Sequence, residues 1–204
     1  RFGNTAELAL YEMLGTGLSP IENPSQYLLA GHEEAIPGTV VVASLEGALP
    51  ILVELQALVV DNAYGIPPRK VAVGVDRDRL NLICAVLQKR AGVFLGSQDI
   101  YVSLLGGVEI TETSIDLGLA VALYSSLRDL PVDPKMVVIG EVDLAGRVRA
   151  VPNIQRLVTE AEWLGLTRVL LPAGNQEKAE PSPDLEIIPV SSLEEALTLI
   201  REQG

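Results

Sequence analysis

The stretch IDLGLAVAL at 115–123 is almost wholly apolar, and it restricts the folds that are open to this chain. Its spacing predicts a helix over residues 114–129. A helix that is apolar around its whole circumference has to be buried on every side. The chain therefore needs a core that surrounds this helix, with a serine, Ser114, at the mouth of the helix.

The surrounding pattern changes from strands to alternating strands and helices along the chain. TVVVASL at 39–45 and PILVELQALVV at 50–60 flank a short loop with a glycine, which predicts a β-hairpin. Residues 77–91 have a helical period, and apolar runs of strand length alternate with helices from there onward. This order predicts an α/β fold with a mixed sheet, in which antiparallel strands come first and β-α-β units follow.

Composition bounds the size and the environment of the domain. The chain has 204 residues, of which 48% are hydrophobic, and this is enough for one core of roughly 150 residues. The Gly- and Pro-containing segment GHEEAIPG at 31–38 predicts a boundary, so we divide the chain into residues 1–30 and residues 31–204. The sequence begins with Arg1 rather than Met, and we expect it to be part of a longer protein.

The cysteine content and the hydropathy indicate a cytoplasmic protein. Cys84 is the single cysteine, so an internal disulfide is impossible, as is usual in a reducing compartment. No apolar run reaches the roughly 18 residues that a membrane-spanning helix requires. We therefore expect a cytoplasmic protein without a membrane partner.

Charge is distributed unevenly along the chain. The net charge of −12 argues against a generic nucleic-acid-binding protein, and residues 2–68 contain no Lys or Arg. The window 69–90 nevertheless carries six basic residues, which form either a solvated helix end or a functional patch: Arg69, Lys70, Arg77, Arg79, Lys89 and Arg90. A second basic group has two residues on one face of a predicted strand and one on the next helix: Arg147, Arg149 and Arg156.

Catalytic chemistry has few candidates in this sequence. There is no glycine-rich phosphate loop, and the single histidine, His32, supports neither a metal site nor a Ser-His-Asp triad. A Ser-Lys dyad with Ser114 as nucleophile would need a partly buried lysine, and none of the four lysines has a suitable position. The pairs Thr113 with Asp116 and Ser191 with Glu194 instead predict capping boxes at the starts of two helices.

Several runs of the second half resemble the proteolytic domain of Lon proteases: DIYVSLLGG, SSLRDLP, VVIGEVDLAGRVRAVPNIQRL, LGLTRVLLP and SSLEEAL. The resemblance implies the Lon proteolytic-domain fold, which is related to the second domain of ribosomal protein S5. In that family a Gly-Pro-Ser-Ala-Gly motif carries the nucleophile and a second motif carries the catalytic lysine. Here ETSIDLG replaces the first motif, with Ser114 about one residue out of register, and Gln155 replaces the lysine. We therefore predict that both dyad positions are degenerate and that this chain is not an enzyme.

The remaining runs resemble the C-terminal part of the bacterial RadA (Sms) family, which are RecA-related DNA repair ATPases: RFGNTAELALYEM, NPSQYLL, TVVVASLEGALPILVELQALV and GVDRDRLNLICAVLQKRAG. The resemblance implies that Arg1, Phe2 and Gly3 are the remnant of a Lys-Asn-Arg-Phe-Gly motif. Residues to about 30 would be the tail of the ATPase module. Zinc and ATP with Mg²⁺ are implied only for domains outside this chain.

The resemblance also implies a function for the domain. We expect a non-proteolytic Lon-like domain that supports a homo-hexameric ring and binds single- and double-stranded DNA without sequence specificity, and a recombinase filament is a further candidate partner. The DNA contacts are expected from the nine basic residues named above. Two alternatives are a Ser-Lys peptidase of the Lon type and an oligomerisation scaffold that does not contact DNA.

Overall fold

The computed structural model describes residues 11–15, 17–20, 23–62 and 67–203. The strands are β1 (Tyr11–Leu14), β2 (Gly17–Pro20), β3 (Thr39–Glu46), β4 (Leu49–Asp61), β5 (Lys70–Val73), β6 (Gln98–Leu104), β7 (Met136–Val138), β8 (Glu141–Val142), β9 (Val148–Arg149), β10 (Arg168–Pro172) and β11 (Glu186–Val190). The α-helices are α1 (Pro24–Leu28), α2 (Arg77–Arg90), α3 (Asp116–Arg128), α4 (Ile154–Trp163) and α5 (Leu193–Gln203). A 3-10 turn, Thr113–Ile115, leads directly into α3.

A seven-stranded mixed sheet organises the domain, with the strand order β11-β10-β7-β3-β4-β6-β5. Strand β4 pairs antiparallel with both β3 and β6, whereas the other neighbours in the sheet are parallel. The predicted hairpin is the β3–β4 pair, which turns at Gly47 with a positive φ of 65°. The predicted α/β class, with antiparallel strands followed by β-α-β units, is confirmed.

Two layers of helices cover the sheet, one on each face. Alternate side chains of β4 point to opposite faces and show which helices pack on each of them. Ile51, Val53 and Leu55 belong to the core that includes side chains of α2, α3 and α5. Leu52 points to the other face and packs in the smaller core beneath α4. Residues 117–124 of α3 are all buried, so the all-apolar helix lies inside the core as predicted.

The segment before β3 is joined to the sheet through α1. The Ser25 hydroxyl accepts a hydrogen bond from the Leu52 N–H (3.1 Å), and the Asn23 amide donates to Glu160 of α4 (3.1 Å). His32 lies against Glu54 of β4, with 2.6 Å between Nδ1 and Oε2. Arg1, Phe2 and Gly3 lie outside the described residues, and the boundary at residue 31 stays a prediction.

Helix α5 begins one residue later than the capping pattern of the sequence predicts. The Ser192 hydroxyl accepts from the Glu195 N–H (3.2 Å), and the Glu195 carboxylate accepts from the Ser191 N–H (2.7 Å). The prediction of a Ser191–Glu194 box was therefore wrong by one position, because two serines and two glutamates in succession allow either register. Within the described ranges, no helix is long and apolar enough to cross a membrane.

Candidate functional site

Ser114 lies in the 3-10 turn before α3 and is buried. Its hydroxyl donates a hydrogen bond to the Ala43 carbonyl of β3 (3.0 Å), and its own carbonyl accepts from the Gly140 N–H (2.8 Å). The adjoining pocket has a volume of only about 30 Å³ and is lined mainly by Leu45, Val151, Pro152 and Leu157. Ser114 therefore ties the start of α3 to the sheet, next to a space with room for little more than one water molecule.

The capping box predicted from Thr113 and Asp116 is not formed. The Thr113 hydroxyl instead donates to Glu141 Oε2 (3.1 Å). The carboxylate of Asp116 is fully buried and accepts from both Arg79 Nε (2.6 Å) and Arg79 Nη2. It also accepts from the Val142 N–H (3.1 Å). A local pattern was overridden by a tertiary contact, because a buried carboxylate requires a charged and hydrogen-bonded partner.

The electrostatics of this ion pair follow from its burial. Removal from water raises the pKa of Asp116 above the usual range, while the Arg79 guanidinium and the Val142 N–H act in the opposite direction. The hydrogen bonds that Arg79 donates to Asp116 in turn raise the pKa of Arg79. Arg79 thus holds α2 to the start of α3, and its role as a DNA contact stays a prediction.

Gln155, at the position predicted for the degenerate lysine, is engaged with the loop after β10. Its Oε1 accepts from the Glu180 N–H (2.7 Å), and its Nε2 donates to the Glu180 carbonyl (3.2 Å) and to Thr159 Oγ1 (3.3 Å). The side chain thus fastens this loop to the first turns of α4. Asn153, just before α4, has a positive φ of 53° and makes no capping bond through its side chain.

Two basic residues of the second predicted group line one cleft. Arg147 and Arg149 flank the buried Val148 and are both exposed, Arg149 within β9 and Arg147 just before it. They line a cleft of about 660 Å³ together with Glu141, Asp143, Val148, Ala150 and Gly174. Arg147 also donates to Asp143 Oδ2 through Nε (2.8 Å). The cleft is polar and open, and it carries both signs of charge.

Asp143 organises the turn at residues 143–147, which presents these arginines. Its carboxylate accepts from the N–H groups of Ala145 (2.9 Å) and Arg147 (3.0 Å). Desolvation acts to raise the pKa of Asp143, but the hydrogen bonds from Arg147 and Ala145 outweigh it and lower that pKa. Asp143 is therefore a charged acceptor that holds the 143–147 turn in one conformation.

The same turn brings the two predicted basic groups together. Arg90, at the end of α2, donates through Nε to the Leu144 carbonyl (3.1 Å). Gly146 lies directly against Arg90, since a Cβ added at Gly146 would be 2.9 Å from the Cβ of Arg90. The exposed Lys89 precedes Arg90. Arg90 of the first group and Arg147 of the second are therefore neighbours across this turn.

The other predicted basic residues lie elsewhere. Lys70, at the start of β5, donates to Asn81 (3.2 Å), and Arg69 before it is exposed. Arg77 is exposed at the first position of α2. Arg156 donates to the Ala48 carbonyl at the turn of the β3–β4 hairpin (3.0 Å). The window 69–90 is thus distributed over a sheet edge, the start of α2 and the 143–147 turn.

Sequence reasoning missed the acidic partners of these basic residues. Asp116 had a usable signal, because it is the one charged residue within the apolar stretch 115–123 and an isolated charge in a buried helix implies a partner. Asp143 and Glu141 had no comparable signal. Their contacts depend on the 143–147 turn and on its position against α2 and α3.

Comparison with known proteins agrees with the fold and defines its class. A family model described as subunit ChlI of Mg-chelatase matches residues 62–175, which is more than half of the chain. The chain belongs to this family, and the match together with the mixed sheet confirms the expected Lon-type α/β fold.

The similarity to individual proteins extends further along the chain. Proteins named DNA repair protein RadA from Halalkalibacterium halodurans and Bacillus subtilis are 45% and 42% identical over 97% of this chain and 43% of their own length. The Escherichia coli protein of that name is 42% identical over 98% of the chain and 43% of its length. The resemblance to the RadA family is confirmed. The chain spans less than half the length of the curated relatives that it matches.

Proposed function

We propose that this chain is a non-proteolytic Lon-like domain of a RecA-related DNA repair ATPase, where it supports ring assembly and binds DNA without sequence specificity. The observation that carries the DNA-binding part is the cleft lined by Arg147 and Arg149, with Arg90 beside it across the 143–147 turn. The repair role rests on the name of the relatives. The parent protein would be a DNA-dependent ATPase, with ATP, Mg²⁺ and zinc bound outside this chain.

Local potential reconciles this proposal with the net charge of −12. At physiological ionic strength charges beyond a Debye length of about 8 Å are largely screened, so a phosphate responds mainly to its nearest groups. Arg149 has no side-chain hydrogen bond or ion pair to any residue that the structure describes, whereas Arg147 shares its charge with Asp143. Glu141 and Asp143 weaken the potential of the cleft. Arg149 is therefore the principal phosphate contact in this proposal.

A salt titration of DNA binding tests the proposal in the full-length protein. We expect the double variant Arg147→Glu, Arg149→Glu to weaken binding to single- and double-stranded oligonucleotides of any sequence. The slope of log affinity against log salt should decrease by about one for each phosphate that the variant no longer binds. Arg128→Glu with Lys135→Glu is the matched control, because it makes the same change of charge away from the cleft. Affinity and slope equal to wild type in the cleft variant would favour a scaffold without DNA contact.

Peptidase activity is the alternative function, and a variant of Ser114 at the start of α3 tests it directly. We expect no cleavage of unfolded casein or of short fluorogenic peptides, because the Ser114 hydroxyl donates to the Ala43 carbonyl and glutamine occupies position 155. The measurement is the release of fluorescence over hours by wild type and by Ser114→Ala. Turnover in wild type that disappears in Ser114→Ala would establish the peptidase and contradict the proposal.

Ring assembly is the second part of the proposal, and its form is a homo-hexamer. It rests on the resemblance to Lon proteases and to RadA, and it adds a physical reason for DNA binding by an acidic chain. A ring repeats each weak phosphate contact around one lumen, so several modest contacts act on the same DNA molecule. A recombinase filament formed on that DNA is a further candidate partner.

A further inference from the structure

Among the residues that the structure describes, the helix layer that contains α4 leaves one part of the sheet uncovered. The outward-facing side chains of β4, β5 and β6 form an apolar groove there, and Leu58 and Val73 are 57% and 54% exposed. Leu58 is opposite Tyr101 in the sheet, and Val71 is the next neighbour of Tyr101 on β5. The groove has a volume of about 420 Å³. Contiguous exposed apolar surface of this kind marks an interaction site on a protein.

The rim of this apolar groove is acidic. Asp99 lies opposite Val60 on the same face of the sheet as the groove. Glu33 and Glu34 are exposed just before Ile36, which lines the groove with Pro37. Arg69 is a basic residue at this rim, and its backbone N–H donates to Asp99 (2.8 Å). A partner for the groove therefore needs an apolar side chain bordered by positive charge.

The 143–147 turn of this same chain has that combination. Leu144 is 68% exposed at the tip of the turn. Arg90 holds the Leu144 carbonyl, Lys89 is exposed beside Arg90, and Arg147 ends the turn. Leu144 is thus a protruding apolar side chain with three basic residues around it, of which Arg147 is paired with Asp143 while Arg90 and Lys89 are not.

We propose that the apolar groove of one copy binds Leu144 of a second copy, in a head-to-tail contact. The two surfaces differ from one another, so each copy keeps one surface free after pairing. Repeated contacts of this type produce a ring when the rotation between copies closes. The proposal rests on the proposed ring assembly and assigns it a specific interface, which uses Leu144 and Arg90 and leaves Arg149 free for DNA.

Sedimentation velocity of the 204-residue chain over a range of concentrations tests this contact. We expect wild type to self-associate, and Leu58→Asp and Leu144→Asp each to weaken association at least about 10-fold, as removal of a central contact does. Trp163→Asp is the matched control, because Trp163 is 61% exposed on α4 and belongs to neither surface. Thermal unfolding verifies that each variant is folded, and Val73→Asp replaces Leu58→Asp if that variant is not.

Mixing the two variants separates a head-to-tail contact from other arrangements. Each variant retains one intact surface, so an equimolar mixture of Leu58→Asp and Leu144→Asp should form a heterodimer that does not grow further. Association of Leu144→Asp alone at wild-type strength would overturn the proposal in favour of a contact between two grooves. Wild-type assembly by both variants would overturn the interface and leave ring assembly standing. A monomeric full-length protein would overturn ring assembly as well. If the full-length protein assembles but the isolated 204-residue chain stays monomeric, the proposal is also overturned, and another domain of the full-length protein is then the partner of the groove.

Discussion

Replacement of Arg79 by methionine is expected to lower the free energy of unfolding by about 3–5 kcal/mol, which is typical of a buried ion pair that loses one partner. Asp116 is fully buried at the start of α3, and Arg79 supplies two of its hydrogen bonds. Methionine preserves much of the side-chain volume but leaves the carboxylate without a counter-charge. The loss therefore reflects an uncompensated buried charge rather than a cavity.

The effect of this substitution should depend on pH in a defined direction. Burial already raises the pKa of Asp116, and removal of Arg79 removes an interaction that lowers it. The folded variant then binds a proton more readily than the unfolded chain, so folding is penalised when the carboxyl is ionised. The destabilisation should be complete at neutral pH and should decrease as the pH falls through the raised pKa of Asp116.

Urea unfolding at pH 7 and pH 5 measures both effects. Arg77→Met is the control, because Arg77 is exposed two positions earlier on the same helix and should change stability by less than about 0.5 kcal/mol. Addition of Asp116→Asn to the Arg79 variant should restore part of the stability at pH 7. A loss below about 1 kcal/mol, as for an exposed pair, or one of equal size at both pH values would contradict this account.

Replacement of Gly38 by alanine is expected to cost about 2–5 kcal/mol, because it combines left-handed backbone strain with a steric clash. Gly38 has a φ of +86°, and an added Cβ would lie 2.1 Å from the carbonyl oxygen of Ala57. That carbonyl belongs to β4 and cannot rotate away as a side chain would. The Gly38 N–H also donates to the Ser125 hydroxyl (2.8 Å), so Gly38 joins the end of α3 to the start of β3.

Gly31→Ala provides a matched control for the steric part of this loss. Gly31 has a φ of +90°, but a Cβ added there would meet nothing within 4 Å. It should therefore cost only the conformational part, about 1–2 kcal/mol. Chemical denaturation of both variants gives the difference. Equal losses would show that contact with the Ala57 carbonyl contributes nothing.

The features that the sequence predicted well are those encoded by short-range periodicity. The β3–β4 hairpin and the buried helix α3 follow from alternation and from helical spacing within single segments. The pair Thr113 and Asp116 fits a local capping pattern, but the Asp116 carboxylate instead accepts a hydrogen bond from Arg79, which lies 37 residues earlier in the chain. A sequence pattern contains no information about which distant helix will lie beside a given carboxylate, so the local interpretation was wrong.

The sequence predicted which basic residues belong to the candidate site, but it did not predict how the fold arranges them in space. Arg147 and Arg149 were grouped because alternate residues in a strand lie on one face, and in the structure both line one cleft. The window 69–90 was grouped by nearness in sequence, yet Lys70 and Arg90 lie at different places in the fold. Arg90 joins Arg147 only because the 143–147 turn packs against the end of α2.

The position of β3 in the sheet has a consequence for synthesis of the chain. On one side β3 pairs with β4, which follows it almost at once, and on the other it pairs with β7, as in the match of Val42 with Val138. Because the turn between β3 and β4 is short, closing it costs little entropy. The hairpin can therefore form long before β7 leaves the ribosome. Until then the outer edge of β3 is an unpaired apolar strand that favours aggregation. Chains that end before residue 136 should therefore be found in the insoluble fraction after expression.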